Sequence, residues 1–210
     1  MYKRQLIGFL RVGKNSFFRI ITAGYITVIR QTPLLIQLMC WYFVGFLSIR
    51  NNSFLNLSNV VNISNKGIEL FGLNLSSEFS ALLFGLSIFS SAFIAEVIRG
   101  GIQSVPVGQW EAFRSLGISE KQGFIKIIIP QALPAFIPGL TSQYLNLAKN
   151  STLAIAIGYA DIYAINDTII NQTGRAVECF IILLCSFLIL NLSITKVMGI
   201  IDKSIMKKRI

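Results

Sequence analysis

The chain has 210 residues, of which 53% are hydrophobic and only 13% are charged. This composition is far more apolar than that of a soluble domain, and it predicts one integral membrane domain over residues 1–210, with the lipid bilayer as its partner. The net charge is +10. However, the basic residues are mixed into apolar sequence without a basic helix or an RNA-binding signature, which argues against a nucleic-acid partner.

The residue types that carry most enzyme chemistry are scarce. The chain contains no histidine, which is the commonest general base and metal ligand. Cys40, Cys179 and Cys185 lie in apolar runs without the spacing of metal ligands. We therefore expect no catalytic residue and no metal site.

Residues 1–19 carry five basic residues among Leu, Ile and Phe, without an unbroken apolar core or a cleavage site. This pattern is typical of a basic amphipathic elbow on the inner membrane surface, and not of a signal peptide. The spacing of Gly8, Gly13 and Lys14 matches that of a phosphate-binding loop, but Asn15 replaces the hydroxyl that holds magnesium. We expect the nucleotide to be bound by another chain.

Residues 20–49 are apolar except for a polar interruption from Arg30 to Pro33. The run after Pro33 has 16 residues, which is marginal for a membrane span, so we predict a helix that begins before Arg30 and bends at Pro33. Arg30 has two interpretations, as a side chain that reaches the cytoplasmic surface or as a residue that steadies an inner gate. The Asn- and Ser-rich residues 50–78 predict an external loop.

Residues 79–98 give the clearest span, with twenty positions that cover about 30 Å of hydrocarbon. Glu96 and Arg99 follow at its exit, and we interpret them as a local pair at the membrane interface.

Residues 104–123 form a polar, turn-rich loop between two apolar segments. Pro106 suits the first turn of a helix and Gly117 the position just past its end. Ser119 with Gln122 has the form of a capping box, so a second helix follows at once. An apolar residue recurs every third position, at Val107, Trp110, Phe113 and Leu116. This favours a compact amphipathic helix outside the bilayer, and the alternative is a loop helix that packs on its own bundle.

Residues 124–147 contain three prolines four residues apart, which predicts a bent span inside a bundle. A polar cluster follows directly, with an ordinary external turn as the alternative to a functional site, and residues 151–165 suit a short span or half-helix. Residues 176–201 form the last span. With residues 1–19, 99–126 and 196–210 placed inside, 14 of the 19 basic residues are cytoplasmic, and the loop 104–123 is cytoplasmic too.

The loop carries a pattern that resembles a known family. Glu111 and Ala112 are followed by Gly117 after four residues, Ile127 after nine more and Pro130 three beyond. This resembles the EAA signature of ABC importer permeases.

Two departures from this signature are visible: Phe113 stands where the family usually has a small residue, and Ile129 stands for Leu. The stretch from Gly24 to Leu38 is similar to the polar amino-acid branch of these permeases. Residues 142–161 resemble the permeases of the general L-amino acid ABC importers.

The resemblance implies an all-α membrane protein, a bundle of about four or five transmembrane helices like that of type I ABC importer permeases, with a cytoplasmic coupling helix. This helix would dock on a cytoplasmic ABC ATPase dimer, with Trp110 and Phe113 as aromatic anchors and Glu111 as one orienting charge. ATP and magnesium would belong to the ATPase, and this chain would bind no cofactor. The implied coupling residues are Gln109, Trp110, Glu111, Ala112, Phe113, Ser115, Leu116, Gly117 and Pro130.

The resemblance also implies a bacterial inner-membrane location, a second permease subunit that is a copy or a relative of this chain, and a periplasmic amino-acid-binding protein. The substrate would be a polar or general L-amino acid, whose carboxylate and ammonium groups need both donors and acceptors. The candidate residues of the substrate path are Thr32, Gln37, Asn146, Lys149, Asn150, Ser151 and Thr152.

Two other classes of protein are weighed against this one. A stand-alone channel or secondary carrier for small polar solutes would need embedded acids for ion coupling, and Glu96 and Asp161 are the candidates. A membrane enzyme would need a nucleophile with a base nearby. Family members usually carry at least one further membrane helix before the basic segment, so a short form, a misplaced start and one piece of a longer gene stay open.

Overall fold

A computed structural model describes residues 16–49, 55–57 and 61–207. The described part is mainly helical and contains one small sheet. The chain divides into two compact units. The first unit comprises the described residues of Met1–Ile29, Ser91–Leu145 and Leu192–Ile210, and the second comprises those of Arg30–Ser90 and Asn146–Asn191.

The first apolar segment forms two helices. Helix α1 covers Ser16–Gln31, so the predicted elbow, residues 1–19, lies outside the described residues except at the start of α1. Helix α2 covers Leu34–Met39 and continues as a π-helical turn, Cys40–Leu47. The prediction of one helix that bends at Pro33 is wrong, because the chain is extended there, with ψ at 134°. Proline lacks the N–H that a continuing helix needs, and it restricts the residue before it.

The segment predicted as an external loop contains a small antiparallel meander, which the sequence analysis missed. Its strands pair in chain order, and two-residue turns separate β2 from β3 and β3 from β4. The alternation of Leu or Ile with Asn is the period-two signal that could have indicated it. The strands are β1 Leu55–Leu57, β2 Val61–Ser64, β3 Gly67–Leu70 and β4 Leu73–Ser76.

Three helical segments among the described residues are long and apolar enough to cross a membrane: Ser77–Gln103, Glu120–Ile157 and Ala176–Ile205. The first is helix α3, and the last belongs to helix α8, Ala176–Lys207. Leu34–Leu47 is a shorter apolar helix. These segments confirm the predicted class, a mainly helical membrane protein with several apolar helices.

The second of these segments changes its helical form along its length. Helix α5, Glu120–Gly123, passes through a π-helical turn, Phe124–Ile128, into helix α6, Ile129–Asn150, and ends in a 3₁₀ turn, Ser151–Ile157. Helix α6 contains Pro134 and Pro138. The prediction of a half-helix over 151–165 is wrong, because the 3₁₀ turn stops at Gly158, whose φ is +78°. A separate helix α7 follows, Ile162–Thr173.

Each unit has its own apolar core. In the second unit, Leu34 and Leu38 of α2 lie in one buried cluster with Ala81, Ala154 and Ile157. A Cβ at Gly85 would meet the Leu38 side chain, so α2 and α3 approach closely through a small residue. The core of the first unit is formed by Ile102, Val105, Phe113, Ile128 and Ala132.

Candidate functional site

The loop between α3 and α5 carries a short, well-capped helix. Helix α4 covers Val107–Ser115 and begins directly after Pro106, whose backbone is extended. At its end Gly117 adopts a φ of +70°. The Gly117 N–H donates to the Arg114 carbonyl at 3.0 Å, and the Ile118 N–H donates to the Phe113 carbonyl at 3.1 Å. These two bonds form a Schellman motif, so the predicted helix end at Gly117 is confirmed. Pro106, predicted in the first turn, is instead the capping residue just before the helix.

Gly117→Ala is expected to lower the free energy of unfolding by about 1 to 2 kcal/mol, because an L side chain in the left-handed region places its Cβ against the following carbonyl. Gly108→Ala is the matched control, since Gly108 lies inside α4 with open space around it and carries no left-handed strain. Thermal unfolding in detergent measures both variants. A Gly117→Ala protein as stable as the Gly108→Ala protein would contradict the cap geometry.

Helix α4 is joined to α5 by a tight turn with a bidentate ion pair. The Ser119 hydroxyl accepts from the Gln122 N–H at 3.4 Å, which confirms Ser119 as the N-cap and supplies one of the two bonds of the predicted capping box. Arg114 Nε donates to Glu120 Oε1 at 2.6 Å, and Arg114 Nη2 donates to Glu120 Oε2 at 3.2 Å. These hydrogen bonds raise the pKa of the Arg114 guanidinium above its ordinary value, so Arg114 carries its positive charge at every physiological pH.

The aromatic residues of α4 face the first unit's own core. Phe113 is only 1% exposed, and the Trp110 ring lies 6.0 Å from it between centroids. The interpretation of Phe113 as an anchor on a partner is therefore wrong, because its ring is already buried within this chain. Val107 and Leu116 are 69% and 76% exposed, so the predicted apolar stripe divides between the core and the outer surface.

Most of the other predicted coupling residues lie on the outer surface. Gln109 accepts a hydrogen bond from the Gln131 side chain at 3.1 Å, and the Ser115 hydroxyl donates to the Glu111 carbonyl at 3.0 Å. The pair of Arg114 and Glu120 was not predicted, although opposite charges on the two sides of a predicted turn can indicate an ion pair. The exposed residues are Gln109, Glu111, Ala112, Ser115, Leu116, Gly117 and Pro130.

The candidate substrate path lies in the second unit. The buried Gln37 amide donates to the Thr32 hydroxyl at 2.6 Å and to the Thr32 carbonyl at 3.2 Å, so these two residues lie together. Helix α2, which carries Gln37, packs against the 3₁₀ turn that follows α6. Two of the seven candidate residues, Thr32 and Gln37, therefore form one local pair. Gln37 lies on a helix that contacts the turn bearing Ser151 and Thr152.

The polar cluster occupies the end of α6 and the start of the 3₁₀ turn. The Ser151 hydroxyl donates to the Ala148 carbonyl at 2.9 Å, and the Thr152 hydroxyl donates to the Lys149 carbonyl at 2.8 Å. Both hydroxyls thus satisfy backbone groups where the helix tightens. The side chains of Asn146 and Lys149 are exposed, and Asn150 is half-buried.

The two acids considered for ion coupling have structural partners. Glu96 forms a bidentate pair with Arg99, at 2.9 and 2.6 Å, which confirms the predicted local pair. Asp161 caps α7, where its Oδ1 accepts from the Ala164 N–H at 2.8 Å. The other carboxylate oxygen of Asp161, Oδ2, is buried without a hydrogen-bond partner among the described residues.

The fold and the loop define a multi-pass membrane protein that exposes a short, capped helix between two segments of membrane length. Residues 6–207 match the family described as binding-protein-dependent transport system inner membrane component, and the chain belongs to this family. The resemblance to ABC importer permeases and the predicted inner-membrane location are thereby confirmed.

Relatives within the family are amino-acid permeases by name. The chain is 50% identical over 135 residues to the putative amino-acid ABC transporter permease protein YhdX of Escherichia coli (strain K12), a match that covers 64% of this chain and 34% of that one. It is 33% identical over 184 residues to the probable glutamine ABC transporter permease protein GlnM of Bacillus subtilis (strain 168), covering 88% and 74% of the two chains.

One solved structure, described as the crystal structure of an amino acid ABC transporter with histidines, aligns with a TM-score of 0.71 and 31% identity. That alignment covers 95% of this chain and 82% of the other. The chain spans about a third of the length of YhdX and of two further permeases, with 34%, 32% and 29% of those proteins matched.

Proposed function

We propose that the chain is a membrane-spanning permease subunit of an ATP-driven ABC importer that moves polar or general L-amino acids across the bacterial inner membrane. The observation that carries this proposal is the exposed, capped helix α4, held between two apolar segments of membrane length. Membership of the inner-membrane transport family supports it. The names of the relatives, which are amino-acid permeases, support the substrate class.

Helix α4 docks on a cytoplasmic ATPase dimer through its outer surface. Glu111, Ala112 and Leu116 are exposed there, which offers one carboxylate among small and apolar side chains. ATP and magnesium are held by the ATPase, and this chain performs no chemistry. Arg114 and Glu120 tie α4 to α5, which is continuous with the segment Glu120–Ile157. Movement of the ATPase is thus passed to a helix that crosses the membrane.

The same helix ends at the polar cluster. Lys149 presents an exposed ammonium group in the last turn of α6, and it is a donor for an amino acid's carboxylate. Asn146 and Asn150 supply amide donors and acceptors. A periplasmic amino-acid-binding protein delivers the substrate, and a second permease subunit, either a copy or a relative, completes the pathway.

Co-purification tests the proposal. The tagged chain is isolated in mild detergent from membranes of its own organism, and the accompanying proteins are identified by mass spectrometry. An unrelated tagged membrane protein at the same expression level is the control. We expect an ABC ATPase and a permease-family chain to be enriched with this protein alone. A chain that purifies without any ATP-binding subunit contradicts the proposal.

A further inference from the structure

Gly123, in the last position of α5, lacks a backbone reason to be glycine. Its φ and ψ are −60° and −44°, an ordinary right-handed conformation that every residue adopts. Glycine is unfavourable at such a position relative to alanine. A glycine inside a helix of this kind indicates a close approach by another group.

The approaching group is the Phe113 ring of α4. A Cβ added at Gly123 would lie 2.7 Å from Cγ of Phe113 and still nearer to two other carbons of the ring. Real Cβ atoms do not tolerate such a distance. The ring has little room to move aside, because it is 1% exposed and lies in the buried cluster with Ile128 and Ala132.

Phe113 is also one of the two positions at which this chain departs from the permease signature, which usually has a small residue there. The large ring at 113 is matched by the absence of a side chain at 123. Phe113 and Gly123 therefore form one complementary pair across the turn.

The ion pair lies on the same contact. The Arg114 guanidinium carbon is 5.5 Å from the centre of the Phe113 ring, and the guanidinium reaches Glu120, three residues before Gly123. Packing and charge thus fix α4 on α5 at adjacent points, while Glu111 and Leu116 stay exposed.

We propose that Phe113 and Gly123 are positioning residues of the coupling site. Because Gly123 has no side chain, α4 contacts the first part of the segment Glu120–Ile157 directly. A movement of α4 is therefore transmitted to this segment. This role rests on the proposed function. The pair acts through the seating of α4 and makes no contact with the ATPase itself.

The test is Gly123→Ala in the purified complex with its ATPase, reconstituted with the binding protein and assayed for amino acid moved per ATP hydrolysed. We expect this ratio to fall about tenfold. Overpacking the buried contact should shift the equilibrium between the seated and the displaced position of α4 by about tenfold or more. In the double variant Phe113→Leu with Gly123→Ala, the smaller and more flexible leucine side chain can turn away from the added methyl group, which the buried ring cannot do. We expect this variant to recover most of the lost ratio.

Gly101→Ala is the matched control. A Cβ at Gly101 would lie 2.7 Å from Cβ of Phe136. This is a similarly tight contact on the same core, but Phe136 belongs to α6 and not to α4. We expect this variant to lower the melting temperature as Gly123→Ala does, with the ratio of transport to hydrolysis unchanged. Gly199→Ala, in open space on α8, should change neither quantity.

Four outcomes of the ratio of transport to hydrolysis overturn the inference. The first two are a wild-type ratio in Gly123→Ala and a double variant with a ratio no higher than that of Gly123→Ala. The others are a ratio that falls equally in Gly101→Ala and a double variant with a lower ratio than Phe113→Leu alone. If the Gly123→Ala protein does not accumulate, the comparison of the double variant with Phe113→Leu tests the inference. A wild-type complex in which hydrolysis does not drive uptake refutes the proposed function instead. Glu111→Ala distinguishes failure of the proposed function from failure of the Phe113–Gly123 inference, since it tests docking without altering the Phe113 contact.

Discussion

Glu111→Ala is expected to reduce ATP-driven amino-acid uptake about thirtyfold or more, because truncating one partner of a charge pair that is buried on docking costs about 2 kcal/mol or more. Glu111 is exposed on α4, so its substitution leaves the chain's own core intact. The loss should therefore appear in uptake and ATPase binding, and the melting temperature of the isolated chain should not change. Uptake of labelled amino acid into proteoliposomes measures the first effect.

Two companion variants make the Glu111 result specific. Glu111→Gln keeps the shape and removes the charge, and it should lose most of the uptake if the carboxylate pairs with a cation on the ATPase. Glu69→Ala removes an exposed carboxylate from strand β3 and should leave uptake unchanged. Equal losses in Glu111→Ala and Glu69→Ala would contradict a docking role for α4.

Lys149→Met is expected to raise the KM for the transported amino acid about tenfold or more, because a hydrogen bond to a charged group contributes about 1.5 to 3 kcal/mol. The methionine keeps the apolar stem and removes the ammonium group that we assign to the substrate carboxylate. The number of amino acids moved per ATP should not change, since the α4 contacts are untouched. Initial uptake rates at varied substrate concentration separate these quantities.

Lys126→Met is the control for this experiment. Lys126 is exposed and lies in the π-helical turn at the other end of the same helical segment. Its substitution should leave the KM unchanged. A KM for Lys149→Met within twofold of the wild-type value would remove Lys149 from the substrate path.

The helix ends within the loop 104–123 were predictable from local rules. Pro106, Gly117 and Ser119 act through their own backbone and nearest neighbours, so their positions in the sequence determine where the helices begin and end. The burial of Phe113 does not follow from such rules. A stripe of apolar residues indicates which side of a helix is apolar, but Phe113 is buried by groups up to nineteen positions away, such as Ala132, that belong to the same cluster.

The prolines also show that local rules do not fix where a helix is interrupted. Pro33 interrupts the first apolar segment, whereas Pro134 and Pro138 lie inside the continuous helix α6. All three lack the N–H, so the difference depends on what surrounds each helix. The meander was missed because short strands of Leu, Asn and Ser have weak strand propensity, and their pairing with neighbouring strands stabilises them.

The most direct test of the account is the energy source of transport. The complex purified with this chain is reconstituted into proteoliposomes with its binding protein, and uptake of a labelled polar amino acid is measured with ATP, with a non-hydrolysable analogue and with an ion gradient alone. The account predicts uptake only with hydrolysable ATP. Uptake by this chain alone, driven by an ion gradient without ATP, would contradict it.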